Sequence, residues 1–127
     1  KVGLTNPRAM ELIKPKTQCR IVADSAEPKS IVEFMSDNID IVGANKGPDS
    51  VRYGIKWLQQ LAYIYIDKER CPHTFEEFSL YELEKDKNGE FKDKYPDKNN
   101  HHIDTTRYAL EDDMNNNYIT PITDLRL

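Results

Sequence analysis

Short apolar runs alternate with amphipathic segments through the first half of the chain. Residues 19–23, 39–44 and 62–66 are apolar runs of strand length, and residues 28–38 and 50–61 between them carry apolar side chains at helical spacing. Antiparallel strands can be joined by a tight turn, whereas parallel strands need a crossover of helical length. The alternation therefore predicts an α/β fold built from parallel βαβ units with right-handed crossovers.

Further helices are predicted on both sides of this region, at residues 4–13, 73–84 and about 100–114. We expect Asn6 to cap the first helix, with Pro7 at its first position, because a missing N–H does no harm there. Thr74 and Glu77 have the spacing of a capping box. Residues 84–98 are polar and rich in lysine, which indicates a loop or a solvent-facing hairpin. The predicted turn of that segment is at Asn88-Gly89, and residues 115–127 are expected to form an extended tail.

Length and composition favour one globular domain over residues 1–127. Hydrophobic residues are 38% and charged residues 31% of the chain, and no apolar run approaches the roughly 20 residues that span a bilayer. No signal peptide is visible, and Cys19 and Cys71 match no zinc or redox spacing, so a reducing cytosol is expected. The formal net charge of −4 does not favour a nucleic-acid binder, although a basic groove can be local.

Three residues stand out as candidates for metal chemistry. His101 and Asp104 are three residues apart at the start of the last predicted helix, so both side chains can reach one point in space. Asp24 follows the first predicted strand, and sites in open parallel sheets form outside the carboxyl ends of strands. An imidazole and carboxylates that converge suit a divalent cation. A solvated helix start and an aspartate that caps a turn are the structural alternatives for these positions.

A phosphate loop is excluded by its ending. Residues 43–47, GANKG, follow a strand and precede a helix, but they lack the Gly-Lys-Ser/Thr end of a P-loop. Glu84, Asp86 and Asn88 resemble the first half of a calcium loop, yet Tyr95 occupies the twelfth position, which must be a bidentate carboxylate. Neither motif therefore assigns a function.

Three stretches together resemble the nuclease domain of the large terminase subunit of tailed phages. They are IVADSAEPKSI at residues 21–31, ANKGPDSV followed by Gly54-Ile55 within residues 44–55, and the segment 97–109 with NNHHIDTTRYA at its end. The resemblance implies an RNase H-like fold and an endonuclease that cuts concatemeric viral DNA during packaging. It further implies a site for two Mg²⁺ or Mn²⁺ ions, with Asp24 and Asp104 as metal carboxylates and His101 as a further metal-side residue.

The family pattern also contains parts that this sequence does not show. Members open with antiparallel strands, the first of which carries another essential aspartate, and the resemblance implies that this chain begins after them and lacks the ATPase half. One metal ligand would then be absent, and the predicted strand at 19–23 would have an unsatisfied edge. An exposed edge is a template for another chain, so we expect either self-association through it or coverage by the tail at 115–127.

The resemblance implies double-stranded DNA as a partner and, in the full-length protein, the terminase small subunit and the portal. It also implies a location in the cytoplasm of the infected or lysogenic bacterial host. No contact with a membrane is expected. Lys29, Lys46 and Arg52 are the candidate phosphate contacts. A non-catalytic assembly or DNA-contact module of the packaging machine is the second hypothesis, and an unrelated flavodoxin-like binding domain is the third. The segment Ser25-Ala26-Glu27-Pro28 argues against the third, because a phosphate loop there would be rich in glycine or in serine and threonine.

Overall fold

The computed structural model describes residues 3–14 and 19–116. These residues form six helices and two strands, in the order α1 (Asn6–Ile13), β1 (Ile21–Ala23), α2 (Pro28–Ser36), β2 (Ile41–Gly43), α3 (Ser50–Gln60), α4 (Pro72–Leu80), α5 (His101–Ala109) and α6 (Glu111–Asn116). No helix in these ranges is both long enough and apolar enough to cross a bilayer.

The two strands and the helix between them form the predicted βαβ unit. β1 and β2 pair in parallel with Ile21 opposite Ile41 and Ala23 opposite Gly43. The Ile21 N–H donates to the Asp40 carbonyl at 2.8 Å, and the Ala44 N–H donates to the Ala23 carbonyl at 2.7 Å. Among the described residues β1 pairs with β2 alone. One edge of β1 is thus unpaired within the described residues. Coverage of this edge by the tail falls largely outside those residues, and self-association through it stays a prediction.

The main hydrophobic core lies between this unit and α1. Met10 of α1, Phe34 of α2 and Ile41 of β2 are buried together with Ile39, and α1 packs on α2 while α2 packs on β2. A second layer of packing is centred on α5, which lies against β1, α3, α4 and α6. The contact between α5 and β1 brings this late helix close to the first strand, although the two are far apart in sequence.

The predicted third strand at residues 62–66 does not form. The chain leaves α3 at Leu61 and runs without regular structure to residue 67, and the side chains of Tyr63 and Tyr65 are 76% and 82% exposed. A strand exists only where a neighbour completes its hydrogen bonds, and high β-propensity does not replace that neighbour. Residues 62–66 have the composition that is typical of a strand, but no strand of the described residues pairs with them.

Two of the predicted helix starts were wrong. Thr5 is the N-cap of α1, and Asn6 is its first residue, whose side-chain amide donates to Glu33 of α2 at 2.7 Å. α4 begins at Pro72 after Cys71, so Thr74 lies inside the helix and forms no capping box. In both cases a proline in the first turn fixes the helix start earlier than the polar cap suggested.

The late region largely follows the prediction. Residues 84–94 form a hairpin with a bridge between Lys85 and Phe91, and Gly89 turns the chain with a φ of +84°. The single helix expected over about 100–114 is two helices, α5 and α6, separated at Leu110. The predicted tail lies outside the described residues, apart from its first two positions.

Candidate metal and DNA cleft

The start of α5 is fixed by a side chain from α4. One carboxylate oxygen of Glu77 accepts hydrogen bonds from the backbone N–H groups of His102 and Ile103, at 2.7 and 2.9 Å. These N–H groups have no partner within the helix, and a negative charge at this end is also favoured by the helix dipole. Ile103 is buried beneath the same turn. The first turn of α5, which carries His101 and Asp104, is therefore held in place by α4.

Asp104 is bound on both carboxylate oxygens. Its Oδ1 accepts a hydrogen bond from Arg107 Nη2 at 2.6 Å, and its Oδ2 accepts one from the side-chain amide of Asn100 at 3.0 Å. Arg107 and Asn100 are both buried, at 6% relative exposure, while the side chain of Asp104 is 24% exposed. The carboxylate is thus oriented from the protein interior and keeps one side toward solvent.

Arg107 ties α5 to the start of α3. Its Nη1 donates to the Ser50 carbonyl at 3.1 Å, and its aliphatic stem fills the space above Gly54. A Cβ at Gly54 would lie 2.7 Å from Arg107 Cδ, which is closer than real Cβ contacts. The glycine in the middle of α3 is therefore required by the approach of the arginine side chain.

Asp24 lies at the end of β1 in a more open setting. Its Oδ1 accepts the Ala26 N–H at 2.8 Å in a local turn, and it also forms an ion pair with Lys46 Nζ at 2.5 Å. Both side chains are exposed, at 55% and 41%. The hydrogen bond from Lys46 lowers the pKa of Asp24, with help from the Ala26 N–H, and the same bond raises the pKa of Lys46. This carboxylate is therefore charged and accessible.

These residues line one cleft of about 920 Å³. One wall is aromatic, where the Tyr81 and Tyr95 rings stack with their centroids 5.9 Å apart and the Tyr81 hydroxyl donates to the Pro96 carbonyl. Burial raises the pKa of Tyr81, and the nearby Asp104 charge adds to the shift. The acidic and basic side chains on the walls are Asp24, Lys46, Asp49, Arg52, Asp93, Asp97, Lys98, His101, Asp104 and Arg107.

The structure brings together five of the six residues singled out in the sequence. Asp24, His101 and Asp104 line the cleft, as do Lys46 and Arg52. Arg52 forms an ion pair with Asp93 of the hairpin at 2.7 Å. Lys29, on the exposed surface of α2, is not among the residues that line the cleft.

The donor set fits a divalent cation only in part. Two carboxylates and one imidazole on a single cleft are the ligands that Mg²⁺ or Mn²⁺ accepts. Within residues 3–14 and 19–116, however, no three His, Cys, Asp or Glu side chains are grouped closely enough to hold a metal ion. Both carboxylates are instead paired with cationic side chains, Lys46 and Arg107. A metal ion would have to exchange with at least one of these cations.

Sequence reasoning missed the residues that hold this arrangement. Arg107 is not among the residues singled out in the sequence, although its spacing of i, i+3 from Asp104 is that of an ion pair. Glu77 had been assigned to the cap of its own helix. Its true target, the start of α5, lies 25 residues away in sequence, and no local signal indicates such a contact. Asn100 occupies the N-cap position of α5, but its side-chain amide binds Asp104 and makes no capping hydrogen bond.

A parallel βαβ unit with a carboxylate at the end of its first strand, and a second carboxylate from a late helix in the same cleft, makes this an α/β domain with its candidate site at the carboxyl end of the sheet. The family model described as the terminase RNase H-like domain matches residues 1–112. The chain belongs to this family of terminase RNase H-like domains. The flavodoxin-like hypothesis is thereby set aside, and the predicted fold class is confirmed.

Relatives and a solved structure agree with this family. The chain is 48% identical over 97 residues to the terminase large subunit of Bacillus phage SPP1, and 33% identical over 111 residues to the PBSX phage terminase large subunit of Bacillus subtilis strain 168. These matches cover 75% and 86% of this chain but only 23% and 25% of the relatives, so the chain spans about a quarter of their length.

The solved structure is the crystal structure of the large terminase nuclease domain of bacteriophage SPP1 with bound Mn. It superposes with a TM-score of 0.77 at 40% sequence identity, covering 87% of this chain and 65% of that one. The likeness extends to sequence as well as fold, since the identity is well above the range in which only the fold is shared.

Proposed function

We propose that the chain carries the metal-dependent DNA endonuclease site of a phage terminase large subunit, which cuts concatemeric viral DNA during packaging. The observation that carries this proposal is the convergence of Asp24 and the His101–Asp104 pair on one cleft, although they lie at opposite ends of the chain. Support comes from the SPP1 nuclease domain, which is a terminase nuclease and was solved with bound Mn.

Asp24 and Asp104 are the proposed metal carboxylates, and His101 is proposed to bind a metal ion or to orient a water molecule. Bound Mg²⁺ or Mn²⁺ ions, two of them in the full site, would supply a water activated at neutral pH and charge to stabilise the leaving oxygen. Asp24 is suited to this role because its Oδ2 carries no bond within the described residues and its side chain is open to the cleft. One further ligand is expected from the rest of the family pattern, so the chain by itself should bind metal weakly.

Lys46 and Arg52 are the proposed DNA contacts in the cleft. Both are roughly half exposed, and they line the same cleft as the proposed metal carboxylates. Their present partners are carboxylates, Asp24 and Asp93, which a phosphate can replace as a hydrogen-bond acceptor. This local set of cations can bind a phosphodiester even though the chain as a whole carries a net charge of −4. Lys29 would contact DNA only outside the cleft.

In the full-length protein we propose that this domain acts with the terminase small subunit and the portal, in the cytoplasm of the bacterial host. Support comes from the two curated relatives, both of which are terminase large subunits. Self-association is also proposed for this chain, through the edge of β1 that has no partner strand among the described residues. Sedimentation at several concentrations tests it, and a monomer at all of them would reject it.

The decisive experiment measures Mn²⁺ binding and plasmid cleavage by the 127-residue chain. We expect weak Mn²⁺ binding, and slow nicking of supercoiled plasmid or none. Asp24→Ala and Asp104→Ala should each lower Mn²⁺ affinity by about tenfold or more, since each removes a proposed ligand. Asp113→Ala, which removes an exposed carboxylate of α6 outside the cleft, is the matched control and should leave affinity unchanged. Equal Mn²⁺ affinities in the wild type and in all three variants would reject the proposed site.

The alternative is a non-catalytic module that contacts DNA or the portal. The observation in its favour is that the described residues contain no group of three metal ligands. DNA binding without divalent metal distinguishes the two hypotheses. A module of this kind would bind duplex DNA equally well before and after Asp104→Ala, with or without Mn²⁺, whereas the nuclease site predicts tighter binding when Mn²⁺ is present.

A further inference from the structure

The two proposed metal carboxylates are held in different ways, and Asp104 is held by a buried clamp. Arg107 Nη2 and the Asn100 amide each donate to a different carboxylate oxygen, so the plane of the carboxylate is fixed. A carboxylate offers about four acceptor positions, and these bonds occupy two of them. One acceptor position on each oxygen therefore stays open, while 24% of the side chain is exposed.

The arginine of this clamp is itself fixed by α3. Its Nη1 is bound to the Ser50 carbonyl, and its stem occupies the space that Gly54 leaves free. Its Nε is buried without a hydrogen-bond partner in the described structure, so the guanidinium is not placed where all of its donors are satisfied. Burial of a guanidinium is unfavourable unless the pairing is good, and replacement by apolar residues is often neutral for stability. The arrangement is better explained by the orientation of Asp104 than by stability alone.

We propose that Arg107, seated on Gly54 and assisted by Asn100, is a positioning residue that aims the Asp104 carboxylate at a divalent cation in the cleft. This inference rests on the proposed function, because it takes Asp104 as a metal ligand. Outer partners that orient a ligating carboxylate commonly change metal affinity by about 10–100-fold.

Gly54→Ala tests the clamp without altering any charge. The added Cβ would lie 2.7 Å from Arg107 Cδ and 3.2 Å from Cγ, so the arginine stem must shift. Gly47→Ala is the matched control, since a Cβ at Gly47 meets no atom within 4 Å. We expect Gly54→Ala to lower the Mn²⁺ affinity by about tenfold or more and Gly47→Ala to leave it unchanged. Mn²⁺ binding is followed by the EPR signal of the free ion, well below the melting temperature of each variant.

A merely structural role for Arg107 gives a different result. Alanine favours the helix over glycine by about 1 kcal/mol. If the Arg107 side chain adapts freely to the added Cβ, Gly54→Ala should therefore melt at or above the wild-type temperature. Its Mn²⁺ affinity should then equal that of the wild type. That result overturns the proposal, as does a rise in Mn²⁺ affinity. Arg107→Lys carries the test if Gly54→Ala fails to fold. It retains the charge but not the planar fork, and it should bind Mn²⁺ about tenfold or more weakly than the wild type does.

Asp104→Asn separates this proposal from the proposed function. If Asp104→Asn binds Mn²⁺ as well as the wild type does, Asp104 is not a ligand and the proposed function fails. If Asp104→Asn loses Mn²⁺ while Gly54→Ala and Arg107→Lys both retain it, the metal site stands and the positioning role of Arg107 is rejected.

Discussion

The two sides of the cleft present the same chemical group in opposite settings. Asp24 is an exposed carboxylate at a strand end, and its cationic partner Lys46 is also exposed. Asp104 faces the same cleft from a helix, but its partner Arg107 is buried, anchored to the Ser50 carbonyl and accommodated by Gly54. One ion pair can exchange its cation with little rearrangement, whereas the other cannot open without moving α3 or α5.

This difference indicates separate tasks for the two cations. Lys46 is exposed and, apart from the carboxylate, contacts the Tyr108 ring with its Nζ 5.8 Å from the centroid. We therefore expect it to compete with a metal ion for Asp24 and, under the proposed function, to exchange to a phosphate. Arg107 is bound to both the Ser50 carbonyl and Asp104, so it stays in place and fixes the orientation of the Asp104 carboxylate. An exposed ion pair contributes about 0.2–1 kcal/mol, while removal of one partner from a buried pair destabilises by about 3–5 kcal/mol. The four predictions below test the contrast.

The largest effect is expected from truncation of the buried cation. Arg107→Met should lower the free energy of unfolding by about 2–4 kcal/mol, less than for a fully buried pair because Asp104 is partly solvated. Lys46→Met, the equivalent change on the other side, should lower it by less than about 1 kcal/mol. Urea unfolding measures both. Similar losses in the two variants would remove the contrast between the pairs.

The next effect concerns the support of α5 by α4. Glu77→Ala should destabilise the chain by about 1–2 kcal/mol, because the N–H groups of His102 and Ile103 lose their acceptor. Glu76→Ala, at the exposed neighbouring position, should change stability by no more than about 0.5 kcal/mol. Thermal unfolding with amide hydrogen exchange at the start of α5 checks the pair of variants. Unchanged exchange in Glu77→Ala would show that the helix start does not depend on this cap.

A smaller effect, of opposite sign to that of the clamp variants, is expected at Lys46. Lys46→Gln should raise the Mn²⁺ affinity by up to about fivefold, which corresponds to the loss of an exposed competing ion pair. The same variant should bind duplex DNA more weakly. Lys98→Gln removes an equal charge from the cleft wall and is the control. If both variants raise Mn²⁺ affinity equally, Lys46 acts through the general field of the cleft and not through Asp24.

The smallest expected effect is on the pH dependence of the free energy of unfolding. The pKa of Asp24 is lowered in the folded chain, so its contribution to stability is present above the ordinary aspartate pKa and is lost as the pH falls below about 4. Because the pair is more than a third exposed, solvent screening reduces this contribution to at most a few tenths of a kcal/mol. Lys46→Gln should flatten the stability profile by that amount between about pH 5 and pH 2. A profile that is identical to that of the wild type would show that the Lys46 bond does not cause the shift.

Local patterns were sufficient for the helices and for the βαβ unit. Apolar periodicity located the helical regions of the described residues within a few residues, although the last of them is two helices, α5 and α6, and the family match bears out the fold class. The strand prediction at 62–66 failed because the pattern reports burial and propensity, whereas a strand requires a partner elsewhere in the chain. The helix starts at Thr5 and Pro72 were missed because several polar residues near each start could have served as the cap.

The sequence by itself determined which residue types are available to the cleft. A strand-end aspartate and a His-x-x-Asp pair at a helix start are visible without a structure, since strand ends and helix faces follow from local spacing. Only the tertiary structure decided that α5 lies against β1, that Glu77 caps it from α4, and that Gly54 admits the Arg107 stem that holds Asp104. The reason is physical: hydrogen bonds and close packing between distant elements depend on positions in space, and no local period in the chain encodes them.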